Sequence, residues 1–147
     1  MEPSYYQHSA LTSPCNGAKI VGPKFDPTAD GPGPSLMLAE TLTGNEVVNA
    51  ANEKLGDIKG IMLDVERGKI GYAVLSAGGF LGIGERLFAI PWEALMLDTY
   101  NKQFILRIDK AKLKNAPSFD KSNWPSMADI KWASDVHSFY GVRHYWD

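Results

Sequence analysis

The sequence predicts a mainly β fold, a small and strongly bent β-barrel followed by short C-terminal helices. Three features of the 147 residues predict it. Short apolar segments separated by turn residues run from 36 to 109, proline and glycine crowd the segment before them, and aromatic residues with helix signals follow. About six short strands in one small unit favour a closed or half-closed barrel, because a flat sheet would leave its edges unpaired.

The N-terminal segment, residues 1–35, holds six of the nine prolines and four of the fourteen glycines. Proline lacks the backbone N–H donor and glycine loses much entropy on ordering, so this composition sustains neither a helix nor a central strand. We therefore expect an extended arm or a disordered tail. The alternative is an arm that wraps a partner subunit.

The first strands are predicted over residues 46–50 and 55–65. In the second segment Ile58 is out of phase with the apolar residues that follow, and Gly60 is placed to absorb the slip as a β-bulge. After this slip the residues alternate with period two. One face carries Ile61, Leu63 and Val65, and the other carries Gly60, Met62 and Asp64.

A hairpin turn is predicted at residues 66–69, where Gly68 can take a positive φ. The next strand, 69–77, is apolar on both faces, which indicates a central position in the sheet. A glycine-rich link follows at 78–84, and a further strand over 85–90 ends at the proline after it.

The last predicted hairpin joins strands 95–98 and 103–108, and Asn101 is the residue expected at positive φ. Beyond this hairpin the pattern becomes helical. Asp109 is placed to cap a short helix that Pro117 stops.

A second helix is predicted to open at Ser126 and Asp129, whose S-x-x-D spacing is like that of a capping box, and to stop at Gly141. The segment 110–147 carries seven of the sixteen aromatic residues. A large apolar side chain contributes on the order of 1.5–3 kcal/mol when it is buried. These residues must therefore pack on the barrel, on another subunit or on a partner.

The glycine-rich link does not read as a phosphate-binding loop. Gly79 and Gly84 have Walker-type spacing, but Glu85 and Arg86 follow where lysine and serine or threonine are required. The link also joins two strands, so no helix N-terminus is available for an anion. A tight connection between strands is the favoured interpretation.

No residue cluster indicates catalysis. Asp57, Asp64 and Glu66 lie on or beside one predicted strand, and we interpret them as solvent-facing residues rather than an acid–base pair. No serine, histidine and aspartate stand in a catalytic motif. We therefore expect a protein that is not an enzyme and has no cofactor.

Metal and redox chemistry have no support in the sequence. The histidines, His8, His137 and His144, lack metal-ligand spacing, and Cys15 is the single cysteine. The lone cysteine fits a reducing compartment, and neither a signal peptide nor a transmembrane span is visible. We therefore expect a cytoplasmic location, no metal and no membrane span.

The formal net charge of −2 gives no bulk attraction to nucleic acid. Residues 110–147 hold six basic and four acidic side chains, a local charge of +2 that arises mainly from four lysines: Lys110, Lys112, Lys114 and Lys121. A solvated helix face explains this charge better than a nucleic-acid footprint.

Several motifs in the barrel segment are recognisable together. They are L-G-x-I at 55–58, D-x-x-x-G-x-I-x-Y-A-V-L at 64–75, GGFLGIG at 78–84 and A-I-P-W at 89–92. Over about half of the chain this combination resembles a PRC-barrel domain. The C-terminal WPSMADIKW and FYGVRHYW also resemble the extension of stand-alone bacterial PRC-barrel proteins.

The resemblance implies a compact bent barrel that binds other proteins and is not itself a catalyst. Such a domain forms the cytoplasmic part of the photosynthetic reaction centre H subunit and part of the ribosome maturation factor RimM. This sequence shows neither the membrane helix of the H subunit nor the separate N-terminal barrel of RimM. We therefore expect a stand-alone adaptor that forms a homodimer and binds an unidentified protein partner.

Two alternatives remain open. The first is an RNA-processing or ribosome-assembly factor, by analogy with RimM, although the negative net charge counts against direct RNA binding. The second is a barrel that binds a small ligand.

The expected organisation has three parts: an arm over 1–35, a PRC-barrel over 36–109 and an aromatic-rich helical extension over 110–147. Six residues are predicted to lie in the core or at an interface: Phe80, Leu81, Trp92, Trp132, Tyr140 and Trp146. Five glycines are predicted to serve turns: Gly68, Gly78, Gly79, Gly82 and Gly84. No residue is assigned a catalytic, cofactor-binding or metal-binding role.

Overall fold

The computed structural model describes residues 17–21, 36–78 and 85–147, and this part of the chain contains seven strands and two α-helices. The strands are β1 (Lys19–Val21), β2 (Glu46–Val48), β3 (Lys54–Asp64), β4 (Lys69–Ala77), β5 (Arg86–Pro91), β6 (Leu95–Asp98) and β7 (Gln103–Leu106). The helices are α1 (Lys110–Lys114) and α2 (Ile130–Tyr140), and short 3₁₀ turns lie at Ala39–Thr41 and Trp92–Ala94.

All seven strands belong to one sheet, in the order β1-β6-β7-β2-β3-β4-β5. The β1/β6 and β2/β7 pairs are parallel, and the other neighbours are antiparallel. The predicted mainly β class with short C-terminal helices is confirmed. Across the described ranges no pairing joins β1 to β5, so these two strands remain the edges and closure into a complete barrel is not observed.

Part of the N-terminal arm belongs to the sheet. β1 pairs with β6, Ala18 packs against the core, and Gly17 lies against the Trp92 ring. At the opposite edge, the backbone N–H and carbonyl of Phe119 exchange hydrogen bonds with Leu87, both 2.9 Å long. The β5 edge of the sheet is therefore partly covered, which limits edge-to-edge association there, whereas β1 forms the other edge.

Two register shifts bend the β3–β4 hairpin. Ile58 pairs with Leu75 and Gly60 with Val74, so the extra residue between them forms the predicted bulge. A second shift was not predicted: Met62 pairs with Tyr72 and Leu63 with Ile70, which leaves Gly71 unpaired. Each shift exchanges the faces to which later side chains point.

The residue with a positive φ was predicted correctly in the first hairpin turn and wrongly in the second. Gly68 has a φ of +67°, as the hairpin turn requires. In the second hairpin Lys102, not Asn101, takes the positive φ, at +55°. The Asp98 carboxylate accepts hydrogen bonds from the backbone and side-chain amides of Asn101, at 3.1 and 2.7 Å, which holds Asn101 in the turn and passes the left-handed position to the next residue.

The predicted helix ends at Asp109 and Gly141 are confirmed, and α1 ends at Lys114 with Asn115 as its C-cap, ahead of the stop predicted at Pro117. Asp109 caps α1 by accepting the Lys112 backbone N–H at 2.9 Å. Gly141 ends α2 with a φ of +70°. The predicted opening at Ser126 is wrong, because Asp129 is the N-cap and accepts the Lys131 N–H at 3.0 Å.

The core has two layers, one on each face of β4. Side chains such as Phe88, Phe104 and Leu55 fill the first layer, and β4 adds Ala73 and Leu75 to it. The second layer lies between the sheet and α2, and consists of Tyr72, Val74, Leu87, Ala89, Phe119 and Val136. Strand β4 is therefore central, as its two apolar faces predicted.

Candidate functional site

The end of the β3–β4 hairpin extends beyond its neighbouring strands. Strand β2 pairs with β3 only as far as Asp57, and β5 pairs with β4 only as far as Tyr72. Residues 63–70 therefore pair only with each other within the sheet. A two-stranded segment of this kind is marginal alone and needs support from elsewhere in the molecule.

One face of this segment is apolar and exposed. Leu63 is 60% exposed and Val65, in the turn, is 86% exposed. Ile70 is half-buried and pairs directly across from Leu63. We call Leu63, Val65 and Ile70 the apolar tip. Of the apolar residues that alternate along β3, Ile61 packs against the core, whereas the tip residues lie where no other strand covers them.

The chain's C-terminal residues hold the opposite face of the hairpin. The Tyr145 hydroxyl donates to Asp64 Oδ2 at 2.7 Å, and Lys69 Nζ donates to the Tyr145 carbonyl at 3.1 Å. A Cβ at Gly71 would lie 3.3 Å from the Tyr145 ring, so the absence of a side chain there permits this close approach. We call Asp64, Arg67, Lys69 and Tyr145 the clamp.

The Asp64 carboxylate is the centre of the clamp. It accepts hydrogen bonds from the Arg67 backbone N–H at 3.0 Å, from Arg67 Nη1 at 2.9 Å and from Tyr145. The Arg67 N–H and then the Tyr145 hydroxyl lower the pKa of Asp64 to about 2. Its side chain is only 11% exposed, so the interpretation of Asp64 as solvent-facing is wrong. The carboxylate is a charged structural acceptor at neutral pH.

Asp57 and Glu66, which were also interpreted as solvent-facing, lie outside the group around Asp64. Asp57 forms an ion pair with Lys54 at 3.4 Å, and Glu66 is exposed in the turn. Neither lies in the clamp.

An aromatic cluster packs against Tyr145 of the clamp. The Tyr145 ring meets Tyr72 edge-on with centroids 5.9 Å apart, and Trp132 packs on Tyr72 at 5.6 Å. Trp146 stacks on His144 at 4.5 Å and meets His137 at 5.1 Å. These contacts join the C-terminal segment to the second core layer.

His137 is a buried structural residue in this cluster. Its Nδ1–H donates to the Ala133 carbonyl at 2.7 Å, which makes Nε2 the unprotonated nitrogen. Nε2 is buried and has no partner among the described residues. Burial lowers the pKa of His137, because a second proton would place an unpaired charge in the interior.

The predicted core or interface residues lie in several places. Trp92 meets Phe104 edge-on at 5.8 Å, and Tyr140 packs against both core layers. With Trp132 and Trp146, all four of these described residues are half-buried within the chain. Phe80, Leu81 and the turn glycines Gly79, Gly82 and Gly84 lie outside the described residues, and Gly78 is half-buried at the end of β4.

The sequence analysis did not single out the apolar tip. Its only signal was the alternation of Ile61, Leu63 and Val65, which places side chains on a face without showing where the neighbouring strands end. The clamp had no sequence signal, because Asp64 and Tyr145 are 81 residues apart.

Two further features are absent from the same described ranges. No group of three or more histidine, cysteine, aspartate or glutamate side chains there could hold a metal ion. No helix in those ranges is long and apolar enough to cross a membrane.

Most of the sheet lies in a region of the chain that matches a known protein family. A family model for the PRC-barrel domain matches residues 34–113, more than half of the chain. The chain belongs to the PRC-barrel domain family. The matched region of this PRC-barrel protein includes strands β2 to β7 and the apolar tip, whereas Tyr145 and α2 follow it. The clamp therefore connects the family domain to its C-terminal extension.

One solved structure similar to this PRC-barrel protein is that of a Pseudomonas aeruginosa protein described as a 16S ribosomal RNA processing protein, RimM. The two share 15% sequence identity with a TM-score of 0.36. The match covers 51% of this chain and 45% of the RimM chain, so it spans less than half of that protein. No curated protein sequence matches this chain.

Proposed function

We propose that this PRC-barrel protein is a non-enzymatic interaction module that self-associates and presents a docking face to a further protein. The observation that carries the proposal is the apolar tip, where Leu63 and Val65 are exposed on a projecting hairpin. Single exposed apolar residues are common on protein surfaces, but neighbouring ones on one element are typical of interaction sites.

The clamp makes the tip suitable for binding. Asp64, Arg67, Lys69 and Tyr145 fix the far face of the hairpin through side-chain hydrogen bonds. A preformed surface loses little conformational entropy on association. Covering one Leu or Val side chain in full contributes about 1.5–3 kcal/mol, so a few such residues can drive a modest association.

A second copy of the chain is the partner that this surface favours first. An uncharged apolar strip is complementary to itself, and twofold pairing places the same residues of both copies together. The tip alone is smaller than a standard interface of roughly 1,200–2,000 Å². We therefore expect a weak dimer that exchanges readily, which leaves the tip available to an adaptor's partner protein.

Affinity capture tests the adaptor part of the proposal. The tagged wild-type chain, the double variant Leu63→Ser/Val65→Ser and the control Leu38→Ser would each be incubated with lysate of the source organism, with and without nuclease. Leu38 is a matched control because it is an exposed leucine, 68% accessible, outside the hairpin.

We expect wild type and Leu38→Ser to retain the same proteins after nuclease treatment, and the tip variant to lose them. Capture of ribosomal proteins that disappears with nuclease would contradict the proposal and favour an RNA-associated role. Equal capture by all three chains would show that the tip is not the docking face.

A further inference from the structure

Three polar side chains form a hydrogen-bonded chain where the C-terminal segment meets α2. The Ser134 hydroxyl donates to His144 Nε2 at 3.2 Å, and His144 Nδ1–H donates to Asp147 Oδ2, also at 3.2 Å. We call Ser134, His144 and Asp147 the triad. A hydroxyl, an imidazole and a carboxylate stand in this order where a histidine activates a serine nucleophile.

The fold brings the triad together from two segments. Ser134 lies within α2, and Gly141 ends that helix with a φ of +70°. The next N–H, that of Val142, donates to the His137 carbonyl at 3.1 Å, and this bond turns the chain back towards the helix. His144 therefore lies beside a residue ten positions earlier, a spacing that matches no catalytic sequence motif.

The imidazole of the triad is held by neighbouring rings. Trp146 stacks on His144 with centroids 4.5 Å apart and planes inclined by 11°, and His137 meets the same ring edge-on at 5.6 Å. The His144 side chain is 33% exposed. A ring fixed in this way needs little reorientation before it accepts a proton from the serine.

The carboxylate selects the tautomer of the imidazole. An ionised carboxylate only accepts hydrogen bonds, so Asp147 keeps the proton of neutral His144 on Nδ1. Nε2 then carries the lone pair and faces the Ser134 hydroxyl. A separation of 3.2 Å is within the reach of a general base.

The backbone around Ser134 limits the kind of acyl donor. Ser134 is the fifth residue of α2, so its N–H is engaged within the helix and cannot stabilise an oxyanion. The donor must therefore carry a good leaving group.

We propose that Ser134 is a nucleophile that takes an acyl group from a small activated ester, with His144 as its base and Asp147 as a positioning residue. The Ser134 proton passes to His144 Nε2 while Oγ forms a bond to the ester carbonyl carbon. The bond from that carbon to the leaving-group oxygen breaks, and His144 gives the proton to this oxygen. The products are an acylated serine and a free alcohol.

This inference goes beyond the proposed interaction module, because it concerns a single acylation and no turnover. It is also independent of the proposed self-association, since no triad residue belongs to the apolar tip.

The test treats the full chain, in excess, with p-nitrophenyl acetate, followed by an acid quench and mapping of the acetylated peptides by mass spectrometry. Ser138, an exposed serine one turn later on α2, is the internal comparison, and the exposed Lys114 reports the general reactivity of the ester. We expect Ser134 to be acetylated at least about tenfold faster than Ser138. Ser134→Ala should lose this label, whereas the control Ser138→Ala should retain it.

Variants of the other two residues separate chemistry from folding. His144→Gln should slow acetylation of Ser134 by about tenfold or more, and added imidazole should restore part of the rate in His144→Ala. Asp147→Asn should have a smaller effect, about threefold, because its side chain is 62% exposed and water competes for the bond. Asp147→Glu keeps a carboxylate and should retain more of the rate than Asp147→Asn.

Equal acetylation of Ser134 and Ser138 would overturn the proposal. So would an unchanged rate in His144→Gln, or a His144→Ala variant that folds and does not respond to imidazole. An acetyl group found on His144 and absent from Ser134 would make the imidazole the nucleophile and would also overturn it.

Discussion

At the scale of single residues, the fold depends on positions where size or protonation is fixed by close neighbours. Gly56, part of the L-G-x-I motif, lies in β3 where an added Cβ would clash with the Ser76 backbone carbonyl oxygen. A Cβ added at Gly60, four residues later, would have no other atom within 4 Å. The two glycines therefore have different physical roles within one strand.

Substitution of these glycines separates the roles. Gly56→Ala should lower the free energy of unfolding by about 1–3 kcal/mol, because the conflict is with backbone and no rotamer relieves it. Gly60→Ala should be neutral or slightly stabilising, because alanine loses less entropy than glycine in a strand. Urea unfolding of both variants measures the difference, and equal stability of the two would contradict the packing argument.

Burial of His137 predicts a pH dependence of stability. Its pKa is lowered in the folded protein, so below about pH 6.5 the unfolded chain binds a proton that the folded chain does not. Stability should therefore fall as the pH decreases from about 7.5 to about 5.5. In thermal unfolding experiments, the unfolding temperature of His137→Leu should change less with pH across this window than that of wild type.

The control for that experiment is His144→Gln, which changes the neighbouring ring but leaves His137 in place. It should retain most of the wild-type dependence of the unfolding temperature on pH, because burial is the first cause of the lowered pKa of His137 and the His144 charge is a lesser one. An unchanged pH dependence in His137→Leu would show that other groups cause it.

At the scale of elements, local chemistry was predictable and long-range contact was not. Asp109, Gly68 and Gly141 act through hydrogen bonds or dihedral angles within a few residues, and the sequence shows them directly. The start of α2 lies at Asp129 rather than Ser126, because the Asp129 carboxylate is the acceptor that takes the Lys131 N–H. The bulge at Gly71 lies against the ring of Tyr145, a contact between distant parts of the chain about which local sequence carries no information.

The clamp that joins the hairpin to the C-terminus can be tested through one carboxylate. Tyr145→Phe removes the donor to Asp64 and leaves the Arg67 donors, so the pKa of Asp64 should rise from about 2 but remain below its ordinary value of 3.8. An NMR titration of the Asp64 carboxyl carbon measures this change. Tyr72→Phe should leave the pKa unchanged, because the Tyr72 hydroxyl donates to no described residue. An unaltered pKa in Tyr145→Phe would contradict the clamp.

At the scale of the whole molecule, the extension and the PRC-barrel domain form one packed unit. The second core layer combines β4 and β5 with Phe119 and with Val136 of α2, and the C-terminal residues reach the hairpin. The aromatic content of residues 110–147 indicated that this segment must pack on something. That it packs on the chain's own sheet could not be deduced from composition, because burial on a partner satisfies the same side chains.

Self-association through the apolar tip can be measured by sedimentation velocity at protein concentrations between about 1 and about 200 μM. Wild type and Leu38→Ser should shift from a 16.2 kDa monomer towards a dimer as concentration rises, because the tip remains intact. Leu63→Ser/Val65→Ser should stay monomeric throughout. A wild-type monomer at every concentration, or a dimer that persists in the tip variant, would contradict self-association through the tip.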